Sequence, residues 1–285
     1  MTTFNENLAL IAAARSTAAV YRARDEIDRL ATAGTLAREA TVTTADCLDG
    51  MATMPAGCAA LVVMDPPYNI GIDYGDGCKA DQLSAGEYAE AVRQWIAGAA
   101  RILAPTGTLW AVCDAAYGAV FDNAITAAGL TMRDRGVWHE TFGTWRRGLF
   151  GKCWRPWFYA VKGDGYTFNE PAFTVKSRRQ ELGDKRANPK GKLRSNVWSV
   201  PRVTGNSRER VGGAPTQLPL SMIAMVVEGF TSPDGLVVDP FTGTGTTGVA
   251  AVRAGRRFQG FELREQFAEI ARRRIGAAVG IAATE

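Results

Sequence analysis

Two short segments of this chain place chemically useful residues in a usable order. The first is Asp65-Pro66-Pro67-Tyr68, directly after an apolar run, Ala59-Ala60-Leu61-Val62-Val63-Met64. An amino group attached to an aromatic ring is a poor nucleophile because its lone pair is delocalised into the ring. The Asp65 carboxylate and the Pro66 carbonyl can both accept its hydrogens, which favours a pyramidal nitrogen and turns the lone pair toward an electrophile. Tyr68 offers a flat face to an extruded base, a contact worth about 1–3 kcal/mol. Pro66 and Pro67 hold these groups rigidly. The bland alternative is a turn at the end of a strand.

The second segment is Asp239-Pro240-Phe241-Thr242-Gly243-Thr244-Gly245-Thr246-Thr247-Gly248. Its glycines let the backbone turn tightly and approach a ligand, and a helix opening there offers free N–H groups. Glu262 stands fourteen residues after Gly248, at the end of the next apolar run, where an acid can accept both hydroxyls of a ribose. The embedded G-x-G-x-x-G also fits dinucleotide enzymes and structural turns, and no Lys follows it as a phosphate loop would require. A nicotinamide enzyme is disfavoured because only 37 residues follow Gly248, too few for a complete two-half dinucleotide fold.

The elements that must position these loops alternate along the chain. A short strand at 40–45 and the buried strand at 59–64 come first, and Ser84 and Glu87 have the spacing of a capping box opening a helix to about Leu103. Further strands are expected at 107–113, 131–139, 157–161, 236–238 and 258–261, with helices at 115–128, 220–229, 246–254 and 264–275. Residues 5–40, rich in Ala, Leu and Arg, read as one or two helices that pack or dimerise. The divisions expected are a helical appendage at 1–40, a catalytic half at 41–140, a recognition region at 141–215 and a cofactor half at 216–285.

The tetrapeptide and the glycine segment together resemble the amino-methylating DNA methyltransferases, over roughly Asp46 to Ile275. The resemblance is to those members whose catalytic tetrapeptide precedes the recognition region and the cofactor loop. It implies an α/β fold with a mainly parallel seven-stranded sheet, helices on both faces and an inserted recognition region. It implies S-adenosylmethionine as cofactor, with Asp65, Asp239, Phe241, Gly243, Gly245, Thr246 and Thr247 around it and Glu262 on its ribose. Asp46 matches the acid that holds the adenine amino group. Asp65, Pro66, Pro67 and Tyr68 would be the catalytic set, and Thr216-Gln217-Leu218-Pro219-Leu220 matches a further cofactor-side motif, with Leu218 where many relatives have Lys. The expected reaction is site-specific methylation of adenine N6 in a base flipped from double-stranded DNA. Cytosine N4 is the alternative, since Asp in the first tetrapeptide position associates with adenine and Ser with cytosine. RNA amino methylation, or a binding protein with a retained pocket, are more distant readings.

Charge supports a nucleic-acid face. From Tyr166 to Gly213 there are 11 Lys/Arg and 4 Asp/Glu, so this segment carries +7 of a chain whose net charge is +4. Arg178, Arg179, Lys185, Arg186, Lys190, Lys192 and Arg194 are the expected DNA contacts. Five scattered cysteines without C-x-x-C spacing argue against a metal site and for reduced thiols, and no apolar stretch of about 18 residues suggests a membrane span. A cytoplasmic enzyme follows, with or without a cognate restriction nuclease, as a monomer or homodimer. His139, the only histidine, and Trp110, Trp154 and Trp157 read as packing residues rather than catalytic ones.

Overall fold

The computed structural model describes residues 40–74 and 81–282. The helices expected before residue 40 lie outside the described residues, as do Gly75 and Gly77 of the loop after the tetrapeptide. The strands are β1 (Ala40–Thr44), β2 (Ala59–Met64), β3 (Leu103–Val112), β4 (Thr131–Arg146), β5 (Leu149–Val161), β6 (Thr174–Val175), β7 (Lys192–Leu193), β8 (Val197–Ser199), β9 (Leu236–Asp239) and β10 (Arg257–Glu262). The helices are α1 (Cys47–Thr53), α2 (Ala85–Ile102), α3 (Gly118–Ala127), α4 (Arg178–Glu181), α5 (Leu220–Phe230), α6 (Thr246–Arg253) and α7 (Glu265–Ala282).

One sheet runs in the order β1-β10-β9-β2-β3-β5-β4-β8. Pairing is parallel from β1 through β3, antiparallel between β3 and β5 and between β5 and β4, and parallel again between β4 and β8. The seven expected strands are present in α/β order, and β8, supplied by the basic segment, adds an eighth. β2 explains why the centre is buried on both sides. Leu61 and Val63 pack with α5, α6 and α7, while Val62 and Met64 pack with α1, α2 and α3. A strand apolar at every position requires such a two-sided cover.

Local signals set the helix that follows β2. Ser84 Oγ accepts from the Glu87 N–H at 3.3 Å and the Glu87 carboxylate accepts from the Ser84 N–H at 2.9 Å, completing the capping box of α2. β9 and β2 are neighbours, with Val237 opposite Leu61 and Val238 opposite Val62. The chain leaves β9 for α6 on one face and β2 for α2 on the other. This reversal opens a crevice at the carboxyl ends of the two strands, where ligands of such sheets bind.

The β4–β5 hairpin is longer than the sequence pattern suggested. It reaches Arg146 and Leu149 across an Arg147-Gly148 turn, with Gly148 at φ 73°, so the expected boundary between 140 and 141 falls inside β4. Its outer half has little burial to impose alternation, and Phe150 is 97% exposed. The register shifts between His139 and Thr144 further blur the pattern.

Candidate active site

The glycine turn is held by its own acids. At the end of β9 the Asp239 carboxylate accepts from the Phe241 N–H at 2.9 Å and is hydrogen-bonded by Thr247, while the Thr242 hydroxyl donates to the Asp239 carbonyl at 3.0 Å. Glu262, placed by β10, accepts from the Gly243 N–H and the Arg264 N–H, both at 2.9 Å and on different carboxylate oxygens. Each oxygen keeps capacity for a further donor, such as a sugar hydroxyl.

The glycines of this turn divide their work. Gly243 adopts φ 52°, lines the cavity, and would give an added Cβ only the Phe241 carbonyl at 3.9 Å. Gly245, at φ 85°, does not line the cavity; a Cβ there would lie 2.9 Å from Cα and Cβ of Ala271. At Gly248 it would lie 2.3 Å from Ile275. The ligand-side glycine is therefore Gly243, whereas Gly245 and Gly248 let α6 close on α7.

Between the two loops lies a cavity of about 260 Å³. Asp65, Pro67 and Tyr74 line it from the β2 side, and Asp239, Phe241, Gly243, Thr246 and Thr247 from the β9 side. Asp46, Glu262 and the segment Thr216-Gln217-Leu218 complete the walls, with Trp95 edge-on to Phe241 at 5.1 Å. Asp46 also caps α1, accepting from the Leu48 N–H at 2.8 Å. Burial, with the Asp65 and Glu262 charges nearby, pushes the Asp239 carboxyl up to about 7; burial likewise raises Glu262. A cavity so rich in acids and closed by apolar rings suits a cationic ligand with hydroxyls and a flat ring. S-adenosylmethionine, which the sequence resemblance implies, has these features, and the residues present fit it.

The catalytic tetrapeptide forms a network of its own. The Tyr68 hydroxyl donates to Asp65, and the Tyr88 hydroxyl donates to the Pro67 carbonyl at 2.7 Å. Burial pushes the Asp65 carboxyl up to about 6, opposed by the Tyr68 hydrogen bond and by Arg155. The Arg155 guanidinium lies over the Tyr68 ring, 4.5 Å from its centroid, and bonds Glu140 at 3.1 Å and Asp114 at 3.3 Å. Lys152 also pairs with Asp114, whose carboxylate is wholly buried. Tyr68 is 8% exposed and, like Pro66, stands behind the cavity rather than in its lining. One of its faces is thus already occupied.

The loop after the tetrapeptide is fixed by another buried acid. Asp81 accepts from the N–H groups of Asn69, Ile70 and Ile72. Asn69, at φ 56°, exchanges hydrogen bonds with Leu83 and donates to the Tyr117 hydroxyl. Sequence reasoning passed over Arg155, Asp114, Glu140, Asp81, Trp95 and Tyr74. Two signals were available: Asp114 follows the buried strand β3 as Asp65 follows β2, and Arg155 interrupts an aromatic strand.

No residue of the basic segment lines this cavity, although residues 214–218, which follow it directly, do. Its cations are largely exposed and partly paired: Arg178 with Glu181 at 3.2 Å, and Arg179 and Arg186 with Asp184 at 2.9 and 3.0 Å. Lys185, Lys190 and Lys192 are exposed, while Arg194 is half-buried. Trp110 and Trp157 are core residues as expected, but Trp154 is 41% exposed. His139 meets Ser199 at 3.1 Å. Among the described residues no cluster of three or more His, Cys, Asp or Glu could hold a metal, and no helix is long and apolar enough to cross a membrane.

Comparison with known proteins adds a family. Residues 59–273 match the model of the family described as DNA methylase, of the N6/N4 methyltransferase type. The chain is 28% identical over 255 residues to the DNA adenine methyltransferase YhdJ of Escherichia coli (strain K12), covering 86% of this chain and 85% of that protein. Its fold is similar to that of M1.HpyAVI in its SAM complex, with a TM-score of 0.59 and 20% identity over 82% of this chain and 98% of the other. It is also similar to the cytosine-N4-specific PvuII DNA methyltransferase, with a TM-score of 0.60 and 15% identity over 86% and 93%.

Proposed function

The chain belongs to the DNA methylase family, and we propose that it methylates the N6 amino group of adenine in double-stranded DNA with S-adenosylmethionine as donor. The observation that carries this reading is one cavity shared by Asp65, at the end of β2, and by Gly243 and Glu262, beside the neighbouring β9. Adenine is favoured because the first tetrapeptide residue is Asp65 and because the curated relative YhdJ is an adenine methyltransferase. This reading includes the permuted order, in which the catalytic tetrapeptide precedes the recognition region and the cofactor loop, as Asp65 precedes the basic segment and the glycine turn here.

In this reading Glu262 holds the ribose hydroxyls, Asp46 the adenine amino group, and Asp239 with the Gly243–Thr247 turn the methionine end. When bound, the cofactor supplies an electrophilic methyl on its sulfonium. Asp65 accepts one hydrogen of the target amino group and the Pro66 carbonyl the other, so the nitrogen lone pair points into the cavity. Catalysis is then chiefly orientation and electrostatics. A target inside stacked DNA must be extruded, at a cost of about a few kcal/mol.

Among the described residues no thiol is placed for covalent attack on the base. Cys47 lines the cavity, but burial and the nearby Asp46 charge push its thiol up to about 12, so it stays protonated. The test is incubation of the purified chain with tritiated S-adenosylmethionine and unmethylated duplex DNA, followed by nucleoside mass spectrometry. N6-methyladenine is expected. N4-methylcytosine would move the target to cytosine, and unlabelled DNA with retained cofactor binding would overturn the reading.

A further inference from the structure

Five buried side-chain polar atoms among the described residues lack a hydrogen-bond partner, and three of them, Trp157 Nε1, Tyr159 Oη and Arg194 Nε, belong to residues that line a single second cavity. Such atoms are rare in folded proteins because each forfeits its hydration without return. The cavity, of about 310 Å³, lies on the face of the sheet that carries α5 and is bounded by β4, β5, α5 and the basic segment. It shares no lining residue with the first cavity.

Its walls are aromatic and its unpartnered groups are donors. Trp157 stacks on Trp198 at 4.3 Å and Tyr159 on Phe230 at 4.3 Å, so flat surfaces already face one another. An indole N–H and a guanidinium Nε–H can only donate, and a phenol donates readily. Arg133, 5.1 Å above the Tyr166 ring, and Arg194 bring two positive charges to the same cavity. Asp134, also in the lining, is already engaged by the Asn196 side-chain amide and the Arg135 N–H. The complement of this set is a planar ring with acceptor atoms and an attached anion.

We propose that this cavity binds a nucleotide, with its base against the aromatic wall and the Trp157, Tyr159 and Arg194 donors, and its phosphate on Arg133 and Arg194. The position suits a strand threaded through the active site. Arg155, Trp157 and Tyr159 alternate along β5 and so share a face. At roughly 3.3 Å per residue the cavity begins about 7 Å along the strand backbone from Arg155, whose guanidinium covers Tyr68. A neighbour of the target base could reach it, and so could a free nucleotide.

The two sources separate in one set of measurements on the full chain, with saturating S-adenosylhomocysteine occupying the first cavity. Calorimetry with the four deoxynucleoside 5′-monophosphates reports a free ligand, and anisotropy with a labelled duplex carrying one unpaired base reports a strand nucleotide. Binding in either arm is expected to weaken at least tenfold in the double variant Tyr159→Phe, Arg194→Gln. S-adenosylhomocysteine affinity should be retained, and Tyr159→Phe alone should not lower the thermal midpoint, since it removes an unsatisfied hydroxyl. A parent chain that binds neither probe, or a double variant that binds both as the parent does, overturns the proposal. The nucleotide arm stands whether or not DNA is the methyl acceptor. Conversely, parental methylation and parental binding by the double variant would sink this site and leave the proposed function intact.

Discussion

Asp65 is the residue on which the proposed chemistry turns, and its surroundings set when it can act. Asp65→Ala should lower methyl transfer by about a hundredfold or more while DNA binding persists, because orientation of the amino group is lost and phosphate affinity is not; single-turnover labelling beside a DNA-binding assay checks both. Burial raises this carboxyl to about 6, so the transfer rate should fall as pH drops through that value, the acid form being a far weaker acceptor for the one amino hydrogen that Asp65 takes. Arg155 opposes the shift and lies over Tyr68. Arg155→Gln should therefore move the acid limb of the rate profile upward, with KM for S-adenosylmethionine little changed; an unmoved limb would reduce Arg155 to packing. The tetrapeptide was legible in the sequence because its chemistry is contiguous. Arg155, Glu140 and Asp114 were not, because Arg155 meets Tyr68 and the two acids meet Arg155 only after β3, β4 and β5 have folded side by side.

At the scale of elements, the α6–α7 junction separates two meanings of glycine that the sequence pattern merged. A Gly245→Val change meets α7 at Ala271 and Ile275 rather than the cavity, and its positive φ adds strain for any side chain. The expected result is a loss of stability of roughly 1–3 kcal/mol by denaturant unfolding, with cofactor affinity falling only as folding does. Glu262→Ala should do the opposite, weakening S-adenosylmethionine binding in calorimetry while the thermal midpoint changes little. If both variants lose stability and affinity in proportion, the turn is a packing device alone. The buried strands and capped helices were legible because period and punctuation agree there: β2 is apolar throughout and Ser84 with Glu87 forms the box that its spacing announces. The outer half of the β4–β5 hairpin was not, since exposed strands need no alternation and Gly143, Gly148 and Gly151 read as a loop.

Over the whole molecule, the acids of the first cavity and the cations of the basic segment pull stability and binding in different directions. Affinity for DNA should fall steeply with salt as condensed counterions are released. Arg178 and Arg179 are tied to Glu181 and Asp184 by exposed pairs, which are worth little in water and can be exchanged for phosphates. Replacing both by Gln should flatten the log–log slope by up to about two; an unchanged slope and rate would move recognition elsewhere. The cavity acids act on folding itself. Asp239 and Asp65 are raised by burial to about 7 and about 6 in the folded chain, from 3.8 as free groups. The native state therefore holds more protons than the unfolded chain across that window, and stability must fall as pH rises from about 4 to about 7. The acids lowered by ion pairs or hydrogen bonds, Glu90 and Asp184 among them, lose their contribution only at lower pH. Without cofactor, the thermal midpoint should thus be higher at pH 5.5 than at pH 8. Asp239→Asn keeps an acceptor for the Phe241 N–H and removes the buried charge, so it should raise stability at pH 8 by about 1–3 kcal/mol and flatten the pH dependence. The same change should weaken S-adenosylmethionine binding, because the negative field that costs the empty fold its stability is what a sulfonium would find on arrival.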